Sequence, residues 1–217
     1  MNEQQIIDKT ILFVKETLQD AEGGHDWFHI QRVFNNAKLI AKGEHANDFI
    51  IALGALLHDI ADSKFHDGDE TIGPKKATEF LLLQDVDSAV IEHVVQIIKN
   101  ISFKGGRVKR TFSSIELDVV QDADRLDAIG AIGIARCFNY GGFKNRELYN
   151  PDIKPNLNMS KHEYKTNAAP SINHFYEKLL LLKDTMNTKS GKRIASERHT
   201  FMEVYLKQFY AEWDGKS

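Results

Sequence analysis

The sequence is poor in the features that mark several specialised classes of protein. Its single cysteine, Cys137, excludes an intramolecular disulfide and is typical of a chain that works in a reducing compartment. The formal net charge is only -3 over 217 residues, so no overall basic field favours DNA or RNA as a partner. Hydrophobic residues make up 42% and charged residues 27% of the chain, as in an ordinary globular protein.

Long hydrophobic runs are missing as well. The longest strongly apolar stretch ends at Leu57 and falls well short of the roughly 20 residues that a membrane-spanning helix needs. The first residues, Met1 to Ile7, lack the basic segment and apolar core of a secretory signal. We therefore expect a soluble cytoplasmic protein whose partners include neither a membrane nor a nucleic-acid polymer.

The alternation that marks β-strands is nearly absent, and helical spacing dominates instead, which predicts an all-α fold. Asp26 is the expected N-cap of the second helix. Gly130 and Gly133, inside a helix predicted over about 114–138, are consistent with either close packing or a kink. The other helices are predicted over about 6–21, 26–40, 48–60, 74–84, 87–101, 171–184 and 190–213.

Between about residues 140 and 170 the chain changes character. Gly141-Gly142, Pro151 and Pro155, with weak periodicity around them, predict a long irregular connection. Connections of this length are often lids or binding loops, although some are disordered. The sequence alone is consistent with both.

An adjacent imidazole and carboxylate, His58 and Asp59, end the apolar run over residues 50–57. The run itself predicts a helix that is buried on nearly all sides. Polar groups at such a position cost free energy unless they are neutralised, paired or bound to a metal. His29 and Asp124 also lie among apolar residues, and together with the pair they predict a divalent metal site.

Asp124 lies four residues after Val120 and four before Ala128, so the helical repeat places it on an apolar face. An uncompensated carboxylate is unfavourable there, which favours a role for Asp124 as a ligand. Asp122, two residues earlier, falls off that face, and we expect it to face solvent.

The order His29, His58-Asp59 and Asp124 across separate helices resembles the HD superfamily of metal-dependent phosphohydrolases. The segment from Asp122 to Ala128, DADRLDA, is a local match to that family. Further similarity points to the bacterial YedJ-like branch of the superfamily. This similarity runs through residues 98–103, 178–183 and 198–202, and the resemblance as a whole covers roughly residues 20–214.

The resemblance implies one all-α, HD-type domain over residues 1–217. Its metal core would cover about 20–140, the connection at 140–170 would be a candidate lid, and C-terminal helices would occupy 171–214. The implied activity is hydrolysis of a phosphoester or phosphoanhydride bond by a metal-activated water. The implied substrate is a small phosphorylated metabolite, above all a nucleotide, from which phosphate or pyrophosphate is released.

By the same resemblance the metal ligands are His29, His58, Asp59 and Asp124, and Asp59 is counted among the catalytic residues as well. Two neutral imidazoles and two carboxylates would leave a bound dication roughly neutral. Mixed nitrogen and oxygen ligation suits one divalent metal ion, with Mn²⁺ favoured and Fe²⁺, Ni²⁺, Co²⁺, Zn²⁺ or Mg²⁺ as alternatives.

One further carboxylate is a candidate for acid–base work. Asp62 lies one helical turn beyond His58, so it could orient or deprotonate the attacking water. A carboxylate that faces solvent at the end of the helix is equally consistent with this position.

Positive charge for a phosphate could come from two places. Lys104 and Lys99 lie around Gly105-Gly106, where backbone N–H groups could also contribute. Arg32 and His25 lie on either side of His29 in the chain, and His25 could either touch the substrate or orient a metal ligand. Ordinary structural roles are the alternatives. The lysines would then belong to a solvated loop, Arg32 to a surface ion pair and His25 to a capped turn.

Two other histidines leave the metal count open. His66 and His93 could be ligands of a second metal or hydrogen-bond partners of the first ligands, although core histidines with satisfied hydrogen bonds are more common. Two irons would make the protein an HD-type di-iron oxygenase. A third alternative is a non-catalytic module that binds metal and nucleotide without turnover.

Overall fold

The structure is a computed structural model that describes residues 1–19, 21, 24–61, 69–101, 112–159 and 168–216. Within these residues the regular elements are nine α-helices and one 3-10 helix, with no strand, so the predicted all-α class is confirmed. None of the described helices is both long and apolar enough to cross a membrane. The α-helices are α1 (Glu3–Thr17), α2 (Trp27–Ala41), α3 (Asp48–Leu57), α4 (Ile72–Leu83), α5 (Ser88–Asn100), α6 (Ile115–Asp127), α7 (Gly130–Phe143), α8 (Asn173–Glu177) and α9 (Lys189–Trp213).

Side-chain caps fix the first turns of the helices that lead to the site. The Asp26 carboxylate accepts a hydrogen bond from the backbone N–H of His29 at 2.9 Å, which confirms the predicted cap of α2. Asn47 caps α3 in the same way through the N–H groups of Phe49 and Ile50. Each such cap stabilises its helix by about 1 kcal/mol. The start of α2, and with it His29, is therefore fixed locally.

The chain divides into two compact units. The first contains residues 1–124 and 187–191, and the second contains residues 125–186 and 192–217. Every candidate site residue that the structure describes belongs to the first unit. The single domain over the whole chain stays a prediction.

Helix α3 forms the centre of the first unit. All residues from Phe49 to Leu57 are buried, and the helix packs against α1, α2 and α5. Full burial of one Leu side chain stabilises the fold by about 1.5–3 kcal/mol. The burial predicted from the apolar run is thus confirmed, and its consequence is that His58, the C-cap residue, is held at the end of a rigid helix.

The predicted helix over 114–138 is interrupted. α6 ends at Asp127 and α7 begins at Gly130, whose positive φ of 74° is readily adopted only by glycine. A Cβ on Gly133 would lie 2.3 Å from the carbonyl oxygen of Ala128. Both predicted alternatives therefore occur: Gly130 allows the break between the helices, and Gly133 allows close packing of the backbone.

The end of α7 and the segments after it also differ from the pattern. α7 continues to Phe143, into the predicted irregular connection, and no helix occurs in the described residues 144–159 and 168–172. The predicted helix over 171–184 is instead the short α8 followed by a 3-10 helix, Leu179–Thr185.

The lone thiol lies in the second unit. Cys137 donates a hydrogen bond to the carbonyl oxygen of Ser171, and burial raises the pKa of the thiol to about 12. A thiol with that pKa carries almost no thiolate at neutral pH, so it is a weak nucleophile.

Candidate metal centre

Helices α2 and α3 bring two imidazoles together. His29 is in the first turn of α2 and is 3% exposed, and His58 follows the last residue of α3 and is 8% exposed. Their ring centroids lie 5.4 Å apart, with the planes steeply inclined to one another. The two rings therefore share a site although 28 residues separate them in the chain.

The hydrogen bond of His58 fixes which ring nitrogen is available. Its Nδ1 lies 2.8 Å from the carbonyl oxygen of Ala55, and a carbonyl can only accept, so Nδ1 carries the proton. The lone pair of the neutral ring is then on Nε2. Metal-ligating histidines are commonly oriented in this way, by donation from the other nitrogen to a carbonyl oxygen.

Asp124 lies opposite both imidazoles. Its Oδ1 is 3.6 Å from Nε2 of His29 and 3.9 Å from Nε2 of His58. The Asp124 side chain is 39% exposed, so the site is open to solvent on this side. Asn36 on α2 donates a hydrogen bond to the carbonyl oxygen of Ala123, which ties α6 to the helix that carries His29.

Asp59 completes the group. His29, His58 and Asp59 each offer one ligand atom, and these three atoms all lie within 4.8 Å of one another. One oxygen of this carboxylate is hydrogen-bonded, because Oδ2 of Asp59 accepts a hydrogen bond from Nδ1 of His25 at 2.6 Å. His25 thus orients a candidate ligand, one of the roles that the sequence left open.

The charge state of Asp59 is set by opposing effects. Burial by itself raises the pKa of this carboxyl group. The hydrogen bond from His25 and the electrostatic effect of the neighbouring histidines outweigh burial, so the pKa of Asp59 is below its ordinary value. Asp59 is therefore ionised near neutral pH.

The chemistry of the four side chains suits a divalent ion, and so do the distances from Asp124 to the two imidazoles. Donors that share one ion at about 2.1 Å lie roughly 3–4 Å apart, which is the range found around Asp124. Two imidazole nitrogens with two carboxylates form the mixed donor set of first-row divalent metals. We call His29, His58, Asp59 and Asp124 the candidate metal centre.

A cavity of about 520 Å³ adjoins the candidate metal centre. Lys99, a predicted phosphate contact, lines this cavity. Lys75 lines it as well, although no sequence pattern favours Lys75 over its neighbour Lys76. Only the packing of α4 against α5 decides which lysine faces this space. The described residues that line it are His58, Asp59, Ala61, Glu70, Thr71, Gly73, Pro74, Lys75, Thr78, Val95, Ile98 and Lys99.

Comparisons with known proteins agree with this arrangement. The HD domain family model matches residues 27–129, which include the whole candidate metal centre. The chain is 35% identical to the uncharacterized protein YpgQ of Bacillus subtilis over 99% of its own length and 97% of that protein. An HD-superfamily hydrolase from Bacillus thuringiensis is similar in structure, with a TM-score of 0.81 and 45% identity over 98% of this chain and 99% of that one.

The chain belongs to the HD superfamily. A crystal structure of Bacillus subtilis YpgQ in complex with ADP is also similar to it, with a TM-score of 0.76 and 35% identity over 98% of this chain and 97% of that one. Membership supports a hydrolase. The assignment to the YedJ-like branch of the HD superfamily stays a prediction.

The structure places the remaining candidates in different surroundings. His93 lies 2.8 Å from the hydroxyl of Ser114 and 3.4 Å from a carboxylate oxygen of Glu116. It does not belong to the group of three that the described residues form around His29. Arg32 is half-buried on α2, one turn after His29. The other candidates, Asp62, His66 and Lys104, lie outside the described residues.

The expectation for Asp122 is wrong. Asp122 does not face solvent but is fully buried, and its carboxylate accepts hydrogen bonds from the backbone N–H groups of Asn187 and Thr188. The pattern of α6 could not indicate this, because the donors come from a segment 65 residues further along the chain. The available signal was the polar run Asn187-Thr188 before a predicted helix, which is also an ordinary N-cap.

Proposed function

We propose that this HD-superfamily protein is a metal-dependent phosphohydrolase that acts on a small phosphorylated metabolite, above all a nucleotide. One observation carries the proposal: the imidazoles of His29 and His58 and the carboxylates of Asp59 and Asp124 lie beside a cavity whose described lining includes Lys75 and Lys99. The ADP bound by the similar YpgQ of Bacillus subtilis supports a nucleotide as the ligand.

The protein would hold one divalent ion through His29, His58, Asp59 and Asp124, with Mn²⁺ favoured. Such an ion, when bound, lowers the pKa of a coordinated water, orients a phosphate and stabilises developing negative charge. His58 is held by the Ala55 carbonyl and Asp59 by His25, so the ligands would be oriented before any ion binds. Preorganised ligands of this kind raise metal affinity.

The cavity favours the phosphate part of a ligand. Its volume of about 520 Å³ falls within the usual range for small-molecule pockets, about 300–1,000 Å³. Lys75 and Lys99 supply positive charge, and Thr71 and Thr78 supply hydroxyl groups. Among the described residues that line the cavity there is no Phe, Tyr or Trp, so these residues do not provide an aromatic ring that could stack on a base.

The decisive experiment combines metal analysis with a product screen. Purified protein is analysed for metals and then incubated with nucleotides and Mn²⁺ while phosphate and pyrophosphate release is followed. We expect about one ion per chain and turnover that is lost in Asp124→Ala, because the variant lacks one of the proposed ligands of the catalytic ion. Asp118→Ala is the matched control, because Asp118 is on the same helix but not in the candidate metal centre, and it should retain activity.

Three outcomes would contradict the proposal. Activity that persists after alanine replacement of both Asp59 and Asp124 would exclude the mechanism. Two irons per chain with oxygen consumption would favour the oxygenase alternative. Tight nucleotide binding without product, across several metals, would favour a binding module.

A further inference from the structure

Residues 187–188 hold the buried carboxylate of Asp122. Asn187 donates to it from the backbone N–H at 2.8 Å and from the side-chain amide at 3.0 Å. Thr188 donates from the backbone N–H and from the hydroxyl, each at 2.8 Å. Both carboxylate oxygens therefore accept more than one hydrogen bond, which compensates the loss of water.

The segment is also the beginning of α9. The hydroxyl oxygen of Thr188 accepts a hydrogen bond from the N–H of Gly191 at 2.9 Å, so Thr188 caps this helix and binds Asp122 at once. A negatively charged group at a helix N-terminus is favourable for the helix dipole as well. Asp122 thus joins α6 to the first turn of α9.

Helix α6 and the first turn of α9 are closely packed at this contact. A Cβ added to Gly191 would lie 2.4 Å from Oδ2 of Asp122 and 2.8 Å from the Thr188 hydroxyl. Gln121 extends the same contact, because its amide group accepts from Asn187 at 3.0 Å and donates to the carbonyl oxygen of Ile101 at 3.1 Å. α6 is therefore fixed against both the first turn of α9 and the end of α5.

Asp122 and Asp124 use opposite sides of α6. Two residues correspond to about 200° of rotation around an α-helix, so one carboxylate points away from the other. The side with Asp124 lies against His29 and His58, and the side with Asp122 lies against residues 187–188. Any rotation or shift of α6 that loosens the first contact changes the second.

We propose that Asp122 is a positioning residue, which holds α6 at the rotation and height that keep Asp124 Oδ1 opposite the two imidazoles. This inference rests on the proposed metal centre. Groups that orient metal ligands without touching the ion change metal affinity about 10- to 100-fold when they are replaced. Here the orienting group acts through the helix backbone rather than on the ligand itself.

The test uses the full chain and measures metal binding rather than turnover. Mn²⁺ affinity is determined by equilibrium dialysis, and the visible spectrum of the Co²⁺-loaded protein reports the ligand geometry. Asp122→Asn should weaken Mn²⁺ binding about 10- to 100-fold and alter the Co²⁺ spectrum, because an amide nitrogen would face the donors of Asn187 and Thr188.

Asp127→Asn is the matched control. Asp127 is on the same helix, is 1% exposed and is paired with Arg136 at 2.5 Å, so the same substitution removes another buried carboxylate. It should lower stability and leave Mn²⁺ affinity within about twofold of the wild type. A loss of affinity as large as that of Asp122→Asn would mean that general destabilisation is the cause, and the inference would be wrong.

A second pair of variants covers the case in which Asp122→Asn does not fold. Thr188→Val removes the hydroxyl, and with it both the hydrogen bond to Asp122 and the one from Gly191, and should weaken Mn²⁺ binding. Thr188→Ser keeps the hydroxyl and should bind Mn²⁺ as the wild type does. Unchanged affinity in folded Asp122→Asn or in Thr188→Val overturns the positioning role alone. A wild-type protein that binds no divalent ion overturns both this role and the proposed function.

Discussion

The imidazole of His25 donates a hydrogen bond from Nδ1 to Oδ2 of Asp59 at 2.6 Å, across 34 residues of sequence. A carboxylate held on one side by a donor presents its other oxygen in a fixed direction. The His25 side chain is 31% exposed, so it can be replaced without opening the core.

We expect His25→Ala to weaken Mn²⁺ binding about 10- to 100-fold, because Asp59 would then rotate freely and would have to be ordered when the ion binds. Isothermal titration of the metal-free protein with Mn²⁺ measures this change. His45→Ala, at an exposed histidine, is the control and should bind as the wild type does. Equal affinities for His25→Ala and the wild type would show that Asp59 needs no partner.

The lysines of the cavity should affect substrate binding more than the chemical step. Lys75→Gln and Lys99→Gln each remove a positive charge that faces the cavity, so we expect KM for a nucleotide to rise by roughly tenfold while kcat changes less. Steady-state kinetics at several salt concentrations separates the two effects. The present ion pair of Lys75 with Glu79, at 4.0 Å and largely exposed, is too weak to hold Lys75 away from a ligand.

Lys76→Gln is the control for these variants, since Lys76 is the next residue on α4 and does not line the cavity. Its KM should equal that of the wild type. An equal rise in KM for Lys76→Gln would indicate a long-range effect of net charge and not a contact in the cavity.

A histidine in the second unit should make stability depend on pH. Burial, with the nearby charges of Lys178 and Arg146, lowers the pKa of His174 from 6.5 to about 4. The folded protein thus holds His174 neutral at pH values where the unfolded chain binds a proton. The stabilisation is complete above about pH 6.5 and is lost as the pH falls through the window from 6.5 to about 4.

The lowered pKa of His174 corresponds to a loss of up to about 3 kcal/mol in the free energy of unfolding when the pH falls to about 4. We expect His174→Gln to flatten the fall in the free energy of unfolding between pH 7 and pH 4.5. Urea unfolding at the two pH values measures it, with His45→Gln as an exposed control. If the free energy of unfolding falls equally between pH 7 and pH 4.5 in His174→Gln and in the wild type, His174 is not the cause of the pH dependence.

Two glycines of α7 should respond in opposite directions to alanine. A Cβ on Gly133 would lie 2.3 Å from a backbone oxygen, whereas a Cβ on Gly142 meets nothing within 4 Å. We expect Gly133→Ala to destabilise the protein by about 2 kcal/mol or more and Gly142→Ala to stabilise it by up to about 1 kcal/mol. Thermal unfolding of the two variants is the measurement, and a higher Tm for Gly133→Ala would show that the Ala128 carbonyl can move away.

Much of the local structure could be predicted because its causes are local. The cap formed by Asp26 and the burial of α3 depend on residues a few positions apart, and the structure confirms both. The candidate ligands stood out for a related reason. His58 and Asp59 are adjacent polar residues at the end of an apolar helix. Burying such groups without a partner costs free energy, and this can be recognised from the sequence.

The sequence by itself determined the all-α class and the cap of α2, because periodicity and capping are properties of short segments. It also predicted His29, His58, Asp59 and Asp124 as metal ligands, from their polarity in apolar surroundings and from the resemblance to the HD superfamily. Tertiary structure alone decided that Lys75 and not Lys76 lines the cavity, since that depends on how α4 packs against α5. Tertiary structure also decided that Asp122 is buried and does not face solvent. The donors of that carboxylate come from residues 187–188, and no pattern within α6 can reveal a partner that only folding brings within 3 Å.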